Sequence, residues 1–160
     1  MSLEPPLGIF LRTVEPPDLP FFFEIQNDPI ANQMAAVKPR SPEDFAKHWD
    51  RILNSPKLFA QSIIYQGQLA GCIGCYETEG QIHVGYSIGR EFWGRGVATE
   101  AMKALLQLVR DRPLHARVAS HNIASLRVLA KCGFVEEGRM AGPEDERYLP
   151  CEEVLLILRN

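Results

Sequence analysis

The residues best placed for chemistry are Trp93-Gly94-Arg95-Gly96-Val97-Ala98-Thr99, a glycine-rich turn between a strand-like run and a helix-like one. A helix N-terminus presents backbone N–H groups that lack intrahelical partners, with a partial positive charge of about half a unit. Gly94 and Gly96 allow positive φ and close approach of a ligand, and Ala98 keeps the next position small. The N–H groups of Arg95 through Thr99 could therefore converge on a diphosphate, with the Arg95 side chain as an added cation. The same glycines could equally do no more than turn a strand into a helix. Two other phosphate loops are excluded. No Gly-Lys-Ser/Thr is present, as a P-loop requires. A dinucleotide fold wants Gly where Thr99 stands and an acid about twenty residues on, and there is none around Ala116.

The four cysteines are weaker candidates. Cys72 and Cys75 have the spacing of a zinc half-site or a redox pair. No second close Cys/His pair completes a cluster, however, and both lie within an apolar strand-like run, so buried reduced thiols and no metal site are expected. Cys132 and Cys151 show no His/Asp partnership in sequence that would make either a nucleophile. Asn122 stands where the N-cap of a following helix should be.

The elements that must position these residues follow from periodicity. Residues 8–14 predict a first strand, and Asp18 opens a helix-like stretch through Phe21, Phe22, Ile25 and Gln26. Ser41-Pro42-Glu43-Asp44 starts a helix with Ser at the cap, Pro at the first position and acid in the first turn. It should run through Phe45, Trp49 and Ile52. Residues 58–65 and 68–76 flank Gln66-Gly67 as a hairpin. Residues 77–80 make a turn, and residues 81–88 make a strand with Val84, Tyr86 and Ile88 on one face. Val97, Ala101, Leu105 and Val109 recur every four residues, which predicts a helix with one buried stripe. Residues 116–120 are a strand, 122–131 a helix closed by Gly133, and 134–137 and 152–158 the last strands.

The 160 residues fit one domain, and 46% hydrophobic with 23% charged residues is ordinary for a globular protein. No apolar run approaches the roughly 20 residues of a membrane span. The start, Met1-Ser2-Leu3-Glu4-Pro5-Pro6, lacks the basic and apolar regions of a secretory leader, so a cytoplasmic protein is expected. A net charge of −3 argues against nucleic acid as the main partner but leaves a small anionic ligand open.

The turn has a downstream companion, His121-Asn122-Ile123-Ala124-Ser125-Leu126-Arg127-Val128-Leu129-Ala130-Lys131-Cys132-Gly133-Phe134. Together the two segments resemble the GNAT acetyltransferase superfamily, most closely its RimJ/RimL-type, ribosomal-protein N-terminal branch. The resemblance is strongest from about residue 83 to 138. In that family Gln/Arg-x-x-Gly-x-Gly/Ala binds the pyrophosphate of acetyl-CoA. Here Gly96 and Ala98 match its small positions, and Trp93 stands at the Gln/Arg position, a form usual in the branch. The resemblance implies an α+β GNAT fold with about seven mostly antiparallel strands flanked by helices. It also implies acetyl-CoA as co-substrate and direct transfer to a primary amine, with no metal.

Residue by residue, the resemblance implies that the strand at Tyr86, Ser87 and Ile88 splays and offers its backbone to the pantetheine arm. Asn122 would bind that arm or orient the catalytic group, beside its role as cap. Ser125 would protonate the departing thiolate, and a first-turn helical serine is the plainer alternative. Lys131 and Arg127 could reach the nucleotide phosphates or be solvated helix charges. By residue count the catalytic Glu of one RimL-type enzyme falls on Glu144, in a loop that could equally be plain solvated acid. His83, Tyr76 and Glu77 are further candidates for the general base, and Glu24 could hold an acceptor amine. The acceptor stays open among a protein N-terminus, a polyamine, an aminoglycoside and an amino acid, with the acidic loop at 144–146 suiting a cation. A non-catalytic acyl-CoA sensor of the same fold is the rival function. A homodimer is the default expectation for assembly.

Overall fold

A computed structural model describes residues 8–160. The chain start read above for a missing leader lies outside the described residues. Each segment of alternating apolar residues becomes a strand: β1 (Ile9–Thr13), β2 (Leu58–Tyr65), β3 (Gln68–Thr78), β4 (Gln81–Ile88), β5 (Leu114–Ala119), β6 (Val135–Ala141) and β7 (Glu152–Leu158). They form one seven-stranded sheet in the order β1-β2-β3-β4-β5-β7-β6. Every neighbouring pair is antiparallel except β4–β5. Five helices flank it: α1 (Leu19–Gln26), α2 (Pro29–Ala35), α3 (Pro42–Asn54), α4 (Val97–Leu108) and α5 (Ile123–Lys131). This is the α+β fold expected. Among the described residues no helix is long and apolar enough to cross a membrane.

The turns follow from backbone chemistry. Gln66-Gly67 and Glu79-Gly80 each place two successive residues at positive φ (50° and 79°, 53° and 76°), the pattern of a two-residue hairpin whose twist matches its strands. The second hairpin is tighter than the sequence suggested, because β3 carries Glu77 and Thr78 in its ladder, opposite Ile82 and Gln81. β5 likewise begins two residues earlier than expected, and β6 runs on to Ala141 past a register shift between Glu136 and Gly138. Helix α2 was not foreseen, although Asp28-Pro29 carries the same cap-then-proline signature as Ser41-Pro42. The Asp28 carboxylate accepts the Ile30 N–H at 3.0 Å. Asp18, read as a helix start, is the N-cap residue of α1; it also closes a 3-10 turn at Pro16–Asp18, and its carboxylate makes no cap bond to α1.

Two cores sit on the two faces. The predicted α4 stripe of Val97, Ala101 and Leu105, with Met102 beside it, packs with Leu129 of α5 on Ile73, Val84, Leu114, Ala116 and Leu156. On the other face Phe22, Phe45 and Trp49 pack with Val14 and Cys72. Phe22 and Trp49 stack with ring centroids 5.1 Å apart. Burying such rings contributes on the order of 2 kcal/mol each, which anchors α1 and α3 and so places the α1–α2 segment over the sheet.

Candidate active site

The site begins where the sheet comes apart. β4 is paired with β3 along its length, but on its other edge only Ile82↔Leu114 and His83↔His115 join it to β5. Beyond His83 the two parallel strands diverge, so β4 from Val84 to Ile88 has no sheet partner on that side. Buried backbone donors and acceptors are rarely left unmatched. A freed edge beside a cavity is therefore a binding surface for an amide-bearing chain. That cavity, about 600 Å³, is lined by Tyr86, Ser87 and Ile88 of β4 together with the glycine turn and the first half of α5.

The turn has the geometry of a phosphate cradle. Gly94 and Gly96 take φ of 76° and 77°, and Gly96 caps α4 from the left-handed region. Side chains there would be strained, and the Gly96 N-cap puts no side-chain hydrogen bond on the N–H groups opening α4. Trp93 serves it differently from a phosphate ligand: its indole N–H donates to the Ile88 carbonyl at 2.9 Å. That bond ties the turn to the end of β4. Trp93, Gly94, Gly96, Val97, Ala98 and Thr99 all line the cavity, whereas Arg95 is exposed and outside the lining.

Across the cavity Asn122 caps α5, its side chain accepting the Ser125 N–H at 3.3 Å. Its own N–H donates to Ala119 at the end of β5, so strand and helix meet in a fixed corner. This cap aims the first turn of α5, and with it Ser125, at the split. The Tyr86 hydroxyl donates to Ser125 Oγ at 2.9 Å. Burial holds the Tyr86 phenol above its ordinary pKa, so it stays a neutral donor. With a lone pair of Ser125 Oγ taken, the serine's own proton is free to point into the cavity. The Tyr86 side chain was not assigned this role from sequence, although its alternation with Val84 and Ile88 puts it on the α4–α5 side of β4.

Arg127 and Lys131 also line the cavity, exposed at its α5 rim. The acidic candidates do not. Glu144 is exposed in the loop between β6 and β7 and does not meet Ser125 or the cavity lining. Glu24 and Glu77 are exposed and also outside it. His83 is 1% exposed on the other face of the sheet, between the Tyr76 ring at 5.4 Å and the His115 ring at 5.6 Å. Burial lowers its pKa and keeps it neutral. Among the described residues no carboxylate and no imidazole lines the cavity. The thiols are no alternative: burial pushes Cys72 up to about 12 and raises Cys75, Cys132 and Cys151. Cys72 and Cys75 also fall on opposite faces of β3, an odd spacing in a strand.

Sequence gave no sign of the wall opposite α5. It is built from Ile25 and Gln26 of α1, Ala31, Asn32, Met34 and Ala35 of α2, Val37, and Arg147 from the β6–β7 loop. That loop is strapped to the chain after α2. Val37 bridges Tyr148, Lys38 N–H donates to the Arg147 carbonyl at 2.6 Å, and Leu149 N–H donates to Ala36 at 2.9 Å. Asp145 accepts the N–H groups of Arg147 and Tyr148 at 2.7 and 2.9 Å, which turns the loop inward at Arg147.

A split parallel pair, a glycine-opened helix and a capped serine on the next helix match a known arrangement. A family model for the acetyltransferase (GNAT) domain matches residues 9–135. The chain belongs to the GNAT acetyltransferase family. Among GNAT relatives, an uncharacterized N-acetyltransferase p20 of Bacillus licheniformis is 26% identical over 141 residues, 80% of this chain and 79% of its own. The fold is shared with the spermidine N-acetyltransferase of Vibrio cholerae in complex with CoA and spermine (TM-score 0.76, 19% identity, 93% and 95% of the two chains). It is shared too with RimL, a ribosomal-protein alpha-N-acetyltransferase in complex with coenzyme A (TM-score 0.76, 18% identity, 94% and 93%). These two GNAT structures act on unlike acceptors at equal likeness, so the fold does not choose between them.

Proposed function

We propose that this chain moves the acetyl group of acetyl-CoA directly to a primary amine, on a protein N-terminus or a small molecule. The observation that carries the reading is the Tyr86–Ser125 hydroxyl pair at the freed edge of β4, in the cavity that also holds the α4 N-terminus. The pantetheine amides would pair with the backbone of Tyr86 to Ile88, and the diphosphate would lie on the N–H groups from Gly96 to Thr99. Arg127 and Lys131 would add charge at the rim. Both fold relatives described above hold coenzyme A, which supports this occupant.

The chemistry follows from what lines the cavity. The amine nitrogen attacks the thioester carbonyl, a C–N bond forms and the C–S bond breaks. The leaving sulfur takes a proton through the Ser125 hydroxyl, polarised by Tyr86. A positioned donor aimed at developing charge lowers the barrier without reorganising. Among the described lining residues no side-chain base is present to take the ammonium proton, so it passes to water. At pH 7 about one α-amine in ten is neutral, against roughly one lysine-like amine in 2,500. The cavity therefore favours acceptors with a weakly basic amine. The Trp-Gly-x-Gly turn fits the RimJ/RimL branch, and an N-terminal α-amine fits this requirement.

The test is release of CoA thiol from acetyl-CoA with a panel of N-terminal peptides, amino acids and polyamines, beside direct acetyl-CoA binding. Turnover on an amine, reduced at least about 100-fold in Ser125→Ala with acetyl-CoA affinity unchanged, is expected. Tight binding with no turnover on any amine would make the chain an acyl-CoA sensor instead.

A further inference from the structure

The α2 side of the cavity carries a positive charge with no carboxylate among its described lining residues. Among the described residues lining the cavity, three are cationic and none is acidic. Arg127 and Lys131 belong to α5, but Arg147 enters on the α2 side, apart from the glycine turn. Its guanidinium donates through one nitrogen to the Lys38 carbonyl, and its other N–H groups have no protein partner among the described residues. Arg40 lies near enough for its field to meet that of Arg147. Neither Arg40, Arg51 nor Arg147 joins an ion pair among the described residues. Burial, and next the charge of Arg147, push Arg40 down to about 10, against the smaller opposing effects of Tyr148 and Asp44. Burial and the fields of Arg40, Arg51 and Arg147 push His48 down to about 4. Half-buried, unpaired arginines such as Arg40 and Arg147 are costly to keep together unless an anion joins them.

We propose that the acceptor end of the cavity is an anion site, and that the amine acetylated carries a carboxylate held by Arg147 in the combined field of Arg40. The proposal rests on the acetyl-transfer reading above and narrows its acceptor. It sets aside polyamines, which would bring more positive charge to a wall that already repels it. Guanidinium matches a carboxylate with two parallel N–H donors. The pairing also helps the reaction. A carboxylate beside an ammonium holds its proton on, and neutralising that carboxylate releases the proton more easily, which suits a cavity with no base. The carboxylate is either the α-carboxylate of a free amino acid or a side chain near a peptide N-terminus; both present the same chemistry.

Matched acceptors test this on the wild-type chain. CoA-thiol release is compared for leucine against leucinamide, and for amidated glutamyl-alanine against amidated glutaminyl-alanine, with spermidine alongside. Leucinamide is the weaker base, so bare amine reactivity favours it over leucine. A charge-assisted hydrogen bond predicts the reverse: at least tenfold higher kcat/KM for the carboxylate member of one pair. The pair that shows it tells a free amino acid from an acidic N-terminus. Arg147→Gln should erase the preference and leave acetyl-CoA KM unchanged, and Arg40→Gln, which spares the Lys38 contact, should reduce it. Equal rates within both pairs, a preference for spermidine, or a raised acetyl-CoA KM with the preference intact would overturn the proposal. A second reading does not need turnover: the His48 imidazole followed by NMR with CoA and leucine or leucinamide. Leucine or the glutamyl peptide should raise its pKa while the neutral analogues should not. That response without thiol release would keep the anion site and refute acetyl transfer. Thiol release from all amines without it would do the opposite.

Discussion

Replacing Tyr86 by Phe removes one oxygen and leaves the ring in the α4–α5 side of β4. What is lost is the 2.9 Å hydrogen bond to Ser125 Oγ. A neutral hydrogen bond of this kind is worth about 0.5–1.5 kcal/mol net. If its whole worth lies in orienting Ser125 at the transition state, kcat falls about 2- to 13-fold. Ser125→Ala removes the donor itself and should cost about 100-fold or more. Two independent groups would multiply, so the double variant would lose roughly 200- to 1,300-fold on those figures. A tyrosine that acts only through the serine predicts that Tyr86→Phe does nothing further once Ser125 is Ala. The assay is initial-rate CoA-thiol release at saturating acetyl-CoA and amine, with acetyl-CoA KM measured separately. KM should stay level in all three variants, because the contacts proposed for the cofactor use backbone atoms of β4 and the α4 turn. Multiplicative losses would refute the proposed relay, and so would a rise in acetyl-CoA KM that accounts for the lost rate.

Three further outcomes follow from the same geometry. A Cβ at Gly71 would lie 2.1 Å from the Ser87 carbonyl oxygen, so Gly71→Ala must push β4 away at the edge that lines the cavity. A stability loss of about 2–4 kcal/mol with weakened acetyl-CoA binding is expected by urea unfolding and calorimetry, and wild-type affinity would contradict the placement of that edge. Asp18, 4% exposed, accepts two bonds from Arg12 at 2.7 and 2.8 Å and one from Ser62 at 2.7 Å, and Arg12 first among these holds its pKa at about 2. Since the folded value lies below the unfolded one, its contribution of about 2 kcal/mol is full above pH 4 and fades as pH falls toward 2. The urea midpoints of wild type and Asp18→Asn should therefore converge in acid, and a constant gap would disprove the linkage. Because no carboxylate or imidazole stands among the described cavity residues to serve as base, the alkaline rise of kcat/KM should track the acceptor amine's own pKa as acceptors are varied. An inflection that stays fixed near 6–7 would reveal a protein base.

Local chemistry was readable from the sequence wherever neighbours in the chain decide it. The hairpin at Gln66-Gly67, the cap at Ser41, the α4 stripe and the glycine turn each depend on residues within one or two turns of one another. The Asn122 cap was readable for the same reason. Helix α2 carried its signal too, in Asp28-Pro29, but seven residues are too short for periodicity to declare a helix. Pairing between distant segments was not readable. Tyr86 and Ser125 are 39 residues apart, and only the divergence of β4 from β5 brings their hydroxyls together. The loop after β6 looked acidic along the chain, with Glu144, Asp145 and Glu146 in a row. Folded, Asp145 turns back onto its own backbone, Glu144 faces solvent, and Arg147 points to the cavity because Lys38, 109 residues away, holds it. The sequence alone thus determined the strand, the glycine turn and the helix that are here proposed to hold a diphosphate, since these elements depend on local backbone geometry. The charge at the acceptor end was decided by the tertiary structure, because it is a sum over side chains that only the fold brings within a few ångströms.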